Sequence, residues 1–169
     1  MASWSPIFEY PMSLNVLFVG AQGTPQPNAS VNEQACRIAS GIPRVAPDLE
    51  TRLFLVTEQQ CESFDGTAWD VLLDWADVAV VVKHVLLKTF ELHCDKFVER
   101  CRANGVLIVS SPVDATFDRI DDRFVNELAD AVVVLSEYQQ CAIASVRGVE
   151  SVHYVPHAVR TAFERVVPV

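Results

Sequence analysis

Two stretches, "WADVAVVV" at Trp75–Val82 and "LADAVVVL" at Leu128–Leu135, repeat one phrase: an apolar residue, Ala-Asp, then a run of small and branched apolar residues. A short apolar run bounded by a polar pause reads as a strand buried on both faces, the kind found in parallel sheets. The Ala-Asp pair reads as a turn that keeps one charge in water before the chain enters the core. The segments flanking the two phrases do not match, so the repeat reflects a shared structural rhythm rather than a duplication.

Four more segments extend that rhythm. Asn15–Gly20 and Leu53–Thr57 precede the first phrase, Val106–Val109 lies between the two, and Ser151–Val155 follows the second. Amphipathic stretches separate several of them. Asn28–Gly41 carries cap signals at Asn28 and Ser30 and a capping-box Glu33. In residues 85–103, Leu86, Leu87, Phe90, Cys94, Phe97, Val98 and Cys101 recur at helical spacing, and Asn104-Gly105 ends the run. A short helix is expected over Asp121–Ala129, and a longer one opens at the N-cap residue Ser136 and breaks at Gly148. The stretch after Thr57, containing Cys61, Gly66 and Trp69, reads as helix-poor. The alternation predicts an α/β fold: a three-layer, Rossmann-like domain with a parallel sheet of about six strands and helices on both faces.

Composition sets limits on function. The chain has 169 residues, half of them hydrophobic, enough for one substantial core. Its formal charge of −9 repels phosphate backbones, so nucleic acid is not an expected partner. The longest uninterrupted apolar runs are too short to span a bilayer. The opening MASWSPIFEYP lacks the basic start and long apolar stretch of a secretory signal. The five cysteines include no Cys-x-x-Cys pair, which points to reduced thiols in a cytoplasmic protein. Cys94 and Cys101, seven apart on one helix face, read as core residues rather than metal ligands.

In an open parallel sheet, ligands bind beyond the carboxyl ends of the strands. The candidate residues are therefore those that follow each apolar run: Gly23 and Thr24, Lys83 and His84, Ser110, Ser111 and Asp114, Ser136 and Glu137, and His157. Gly20 and Gly23 do not form a dinucleotide fingerprint, because the spacing is Gly-x-x-Gly and Pro25 and Pro27 intervene. No phosphate-cradling lysine motif occurs, so neither a Rossmann dehydrogenase nor a P-loop enzyme is expected, and without a Gly-x-Ser-x-Gly elbow an unrelated α/β enzyme such as a hydrolase ranks last.

The stretch LADAVVVLSEYQQCAIASVRGVESVHYVPHAV, residues 128–159, resembles the end of the N-terminal domain of retaining, GT-B fold glycosyltransferases. The resemblance rests on Ala129-Asp130, the run to Leu135, the helix-opening Ser136, the short strand at Val152–Val155 and Pro156-His157. WADVAVVVKH and NGVLIVSSPVDATF are similar to earlier parts of that domain, and the likeness covers residues 14–160 in outline. It implies an N-terminal arm over residues 1–13, a domain over 14–160, and a tail or linker over 161–169. It also implies an acceptor-side domain, acting as a fragment or subunit of an enzyme that transfers a sugar from a nucleotide sugar.

On that resemblance Asp114 is the catalytic candidate, because Ser110-Ser111 stand where the family often has a histidine. Gly23, Thr24, Lys83, His84, Ser111, Ser136 and His157 would contact the acceptor. No metal or other cofactor is implied. The family's donor motif, two glutamates separated by seven residues, has only coincidental matches in Glu50/Glu58 and Glu91/Glu99. The expected partners are a sugar acceptor or other small ligand and a donor-binding domain or subunit. The alternative is a non-catalytic, glycosyltransferase-like binding module that self-associates as a homodimer.

Overall fold

A computed structural model describes residues 13–21, 41, 46–82, 88–112 and 122–155. The strands are β1 (Leu14–Ala21), β2 (Leu49–Val56), β3 (Val78–Val82), β4 (Leu107–Ser111), β5 (Ala131–Val134) and β6 (Val152–Tyr154). They form one sheet in the order β2-β1-β3-β4-β5-β6, and every neighbouring pair is parallel. The described helices are α1 (Glu58–Ser63), α2 (Thr67–Trp75), α3 (Lys88–Ala103), a π-helical turn (Phe124–Leu128) and α4 (Glu137–Arg147). The expected α/β, Rossmann-like architecture is therefore present. The helix expected over Asn28–Gly41 lies outside the described residues, Gly41 excepted.

Register sorts the side chains onto two faces. Leu17, Ala79 and Ile108 stand side by side, as do Val81, Ser110, Val132 and Val152 one pleat on. On this first face they meet Cys61 of α1, Trp69 and Leu73 of α2, and Phe90, Phe97 and Cys101 of α3. Farther along it, Ile143 and Ala144 of α4 pack near Val132, Val134 and Val152. On the second face Val16, Phe18 and Val82 cluster with Leu53, Val80 and Leu135. Central β1 is buried on both sides from Val16 to Val19, which is why its sequence reads as a continuous apolar run.

The aromatic rings hold the helices to the first face. Phe64 meets Trp69, Phe90 and Phe97 at centroid distances of 5.3, 5.6 and 5.4 Å. Phe54 of β2 and Phe124 of the π-helical turn close the cluster at 4.9 Å from Trp69 and 5.1 Å from Phe90, both edge-on. Phe64 adopts a left-handed φ of 54° at the end of α1, a conformation that a bulky residue holds only under surrounding constraint. The constraint is visible: its ring is fully buried, and Arg100 of α3 donates to its carbonyl at 2.6 Å. The same guanidinium also pairs with Asp65 and Asp70.

Two expectations change. Residues 58–75 are not helix-poor; they form α1 and α2. Thr57 and Gln60 make a capping box in which each side chain meets the other's backbone amide, and Gly66, at φ 106°, opens α2. β2 also begins four residues before the expected Leu53. Its first half, Leu49-Glu-Thr-Arg52, is polar because β2 is an edge strand, where the guanidinium of Arg52 lies 4.1 Å from the Trp75 ring centroid.

The Ala-Asp pairs have a role beyond keeping a charge wet. Asn15 donates its backbone amide to Asp77 Oδ2 at 2.8 Å, and Asp77 returns its amide to the Asn15 carbonyl at 2.9 Å. Asp130 does the same with Ile108: the Ile108 amide reaches Asp130 Oδ2 at 2.8 Å, and the Asp130 amide reaches the Ile108 carbonyl at 2.8 Å. Each aspartate thus pins the start of the neighbouring parallel strand and sets its register.

Candidate functional site: the carboxyl edge of the sheet

Because all six strands are parallel, their carboxyl ends share one edge. The direction of travel reverses at β1. From β1 the chain steps to β2 on one side, then returns to β3 on the other and continues outward through β4, β5 and β6. Neighbouring strands whose connections diverge leave a crevice above their carboxyl ends. That switch point lies between β1 and β3, where Val19 stands beside Val81.

The strand order ranks the residues selected from the sequence. Gly23 and Thr24 follow β1 and Lys83 and His84 follow β3, so these two segments flank the switch point in the chain. Asp114 follows β4, one strand away. β5 and β6, which precede Ser136 and His157 in the chain, lie roughly 10 and 14 Å from β3 at the usual strand spacing of about 4.8 Å. Gly23, Thr24, Lys83, His84, Asp114 and His157 lie outside the described residues; Ser111 and Ser136 are within them.

Ser111, the last residue of β4, is 6% exposed and stands beside Val82 on the second face. Its neighbour Ser110 is fully buried on the first face between Val81 and Val132, and its Oγ makes no hydrogen bond. An unpartnered buried hydroxyl carries a desolvation penalty, so Ser110 is a point of stored cost beneath the rim. The sequence named both serines and gave Ser111 alone an acceptor contact; the register assigns them to opposite faces.

Ser136 is occupied by a structural duty. Its Oγ accepts the amide of Gln139 at 3.2 Å as the N-cap of α4, while Gln139 Oε1 accepts the amide of Leu135 at 3.3 Å. The hydroxyl proton can still be donated, so the cap does not by itself bar a ligand contact. At the other end of α4, Arg147 donates to the carbonyls of Val125, Ala129 and Asp130 and to Ser151 Oγ. It ties the π-helical turn, the start of β5 and the approach to β6 together. Burial lowers the Arg147 pKa and nearby Asp130 partly offsets that.

Three of the four described cysteines belong to the core. Cys61, Cys94 and Cys101 are buried and Cys141 is exposed. Burial, reinforced by Asp130, pushes the Cys101 thiol up to about 12, and burial also raises Cys94. A thiol held protonated is a poor nucleophile and a poor metal ligand. Among the described residues no group of three or more His, Cys, Asp or Glu is arranged to hold a metal, and no helix is long and apolar enough to cross a membrane.

No family model, no curated protein and no solved structure matches this chain.

Proposed function

We propose that this chain is the acceptor-side domain of a sugar-transferring enzyme of the GT-B type, completed by a separate donor-binding domain or subunit. The observation that carries the reading is the unit from Ala129 to Val155. It runs Ala-Asp turn, β5, capping Ser136, α4, β6, in the order that the resemblance implies, and the sequence continues into Pro156-His157. The switch point between β1 and β3 gives such a domain a place for an acceptor, with Lys83 and His84 immediately beyond β3. In this reading Lys83 meets negative or hydroxyl-rich groups, His84, Thr24 and Ser111 donate to acceptor hydroxyls, and Asp114 orients the attacking hydroxyl. Gly23 lets the ligand approach the backbone closely, while Ser136 and His157 serve the outer part of the cleft.

The test is a glycan array probed with the full chain, paired with calorimetric titration of nucleotide sugars. The expected result is binding to a restricted set of glycans, weakened at least tenfold by Lys83→Ala, and no heat from nucleotide sugars. Tight binding of a nucleotide sugar without glycan binding would overturn the assignment of sides. Binding of neither ligand, together with a homodimer by light scattering, would favour the non-catalytic interaction module.

A further inference from the structure

The turn between α3 and β4 carries Ala103-Asn-Gly-Val106, the one Asn-Gly pair in the sequence. Among the described asparagines, Asn104 alone is exposed. Asn15 and Asn126 are half-buried and precede Val16 and Glu127, whose side chains shield the following amide. Gly105 brings no such shield. It takes a left-handed φ of 71°, and a Cβ added there would meet nothing within 4 Å.

Two hydrogen bonds hold the pair. Asn104 donates Nδ2 to the Arg100 carbonyl at 2.9 Å, and the Gly105 amide donates to the Arg102 carbonyl at 3.1 Å. Both bonds belong to the last turn of α3, and the ends of helices fray. When that turn opens, the Asn104 side-chain amide and the nitrogen that follows it are released together.

We propose that Asn104 is a site of covalent self-modification, converted through a cyclic imide to aspartate and isoaspartate. The Gly105 nitrogen attacks Asn104 Cγ. The N–Cγ bond forms, and the Gly105 amide proton departs with the side-chain nitrogen as ammonia. Water then opens the ring. Addition at Cγ breaks the new N–Cγ bond and gives aspartate. Addition at the Asn104 main-chain carbonyl carbon breaks the original peptide bond and routes the chain through Cγ as isoaspartate. Water is the sole co-reactant, and nothing is oxidised or reduced.

Either product places a carboxylate where a donor stood. It cannot donate to the Arg100 carbonyl, and it sets negative charge at the carboxyl end of α3, where the helix dipole disfavours it. Isoaspartate also lengthens the main chain just before two bonds that guide entry into β4. These run from the Val106 amide to the Cys101 carbonyl at 2.8 Å and from the Leu107 amide to the Asp77 carbonyl at 2.9 Å. The modification thus loosens the turn that delivers β4 to Asp77. This inference does not depend on the sugar-transfer reading.

The experiment is peptide mapping by mass spectrometry on the full chain, aged at mildly alkaline pH in ordinary and in heavy-oxygen water. The tryptic peptide 103–119 holds Asn104 as its only side-chain amide. The expected result is two acidic forms of that peptide, aspartyl and isoaspartyl, each carrying one heavy oxygen after ageing in heavy-oxygen water. They should accumulate at least tenfold faster than acid at Asn15 or Asn126. Asn104→Gln, whose longer side chain closes the ring poorly, should abolish both forms. Asn104→Asp should lower the urea midpoint, and an unchanged midpoint would overturn the destabilising effect. Acid at Asn104 forming no faster than at Asn126, or forming as aspartate without isoaspartate, would overturn the proposal.

Discussion

Asp77 and Asn15, 62 residues apart, hold each other by two opposed hydrogen bonds of 2.8 and 2.9 Å. The carboxylate takes the first free amide of β1, while the aspartate's own amide satisfies the carbonyl of the same residue. Asn15 adds a third tie by donating its side-chain Nδ2 to the Trp75 carbonyl at 2.9 Å. Removing the acceptor strands a part-buried amide, at a typical cost of about 1–3 kcal/mol. Asp77→Ala should therefore lower unfolding free energy by that amount in urea titrations, and Asp77→Asn, which keeps an acceptor oxygen, by clearly less. Asp130→Ala should behave in parallel through Ile108. No loss in either alanine variant would show that the ladder alone sets the register.

Arg147 gathers three carbonyls and one hydroxyl from segments that are not helically continuous with it. Hydrogen bonds to a charged donor contribute roughly 1.5–3 kcal/mol each when their loss leaves carbonyls stranded. The lost bonds are not additive, so Arg147→Ala should cost about 3 kcal/mol in total. Hydrogen exchange should locate the damage, with amides of residues 124–134 exchanging faster while those of β1 stay protected. Arg147→Lys should recover little, since one ammonium cannot reach all four acceptors.

The Cys101 thiol, pushed up to about 12 by burial, couples stability to alkaline pH. An unfolded thiol loses its proton near pH 8.5. Above that pH the unfolded chain holds fewer protons than the native one, so stability falls with rising pH. The contribution is complete below about pH 8.5 and is lost progressively as pH rises toward 12. Cys101→Ala should flatten this decline in denaturation curves measured between pH 8 and 11. An unchanged slope would show that the thiol is already ionised in the folded chain.

Ser110 offers an opposite sign. Its fully buried Oγ has no hydrogen-bond partner, so Ser110→Ala removes a polar atom that gains nothing from folding. The variant should be as stable as the parent or more so, by up to about 1 kcal/mol. A loss larger than that would reveal a bonded hydroxyl. Ser136→Ala, by contrast, should lose about 1 kcal/mol through the α4 cap.

The contrast between what was and was not legible in the sequence follows burial. Strands β1 and β3 to β5 were readable because most of their residues lie inside the sheet, which makes continuous apolar runs; β6, where His153 and Tyr154 are exposed, was marked instead by the Gly148 break before it and Pro156 after it. The first half of β2 was missed because an edge strand exposes Glu50 and Arg52. Helices α1 and α2 were not expected, although the Thr57–Gln60 capping box was a signal present in the sequence. Ser136 was readable as a cap because its partner is three residues away. The role of Asp77 was not, because its partner is 62 residues away. The rim residues could be named from the runs they follow, but only the strand order shows that β1 and β3 border the switch point and that β6 lies three strands from β3.

The proposed binding of ligand above the divergence of β1 and β3 is tested most directly by NMR shift mapping. The full chain would be titrated with a glycan selected on the array, following backbone amides. The largest shifts are expected at Val19 to Ala21, at Val81 to His84 and at Ser110 to Asp114, with Asp77, Asp130 and the α3 amides unmoved. Shifts centred on the amino-terminal edge around Asp77 and Asp130, or on the outer face of α4, would contradict it.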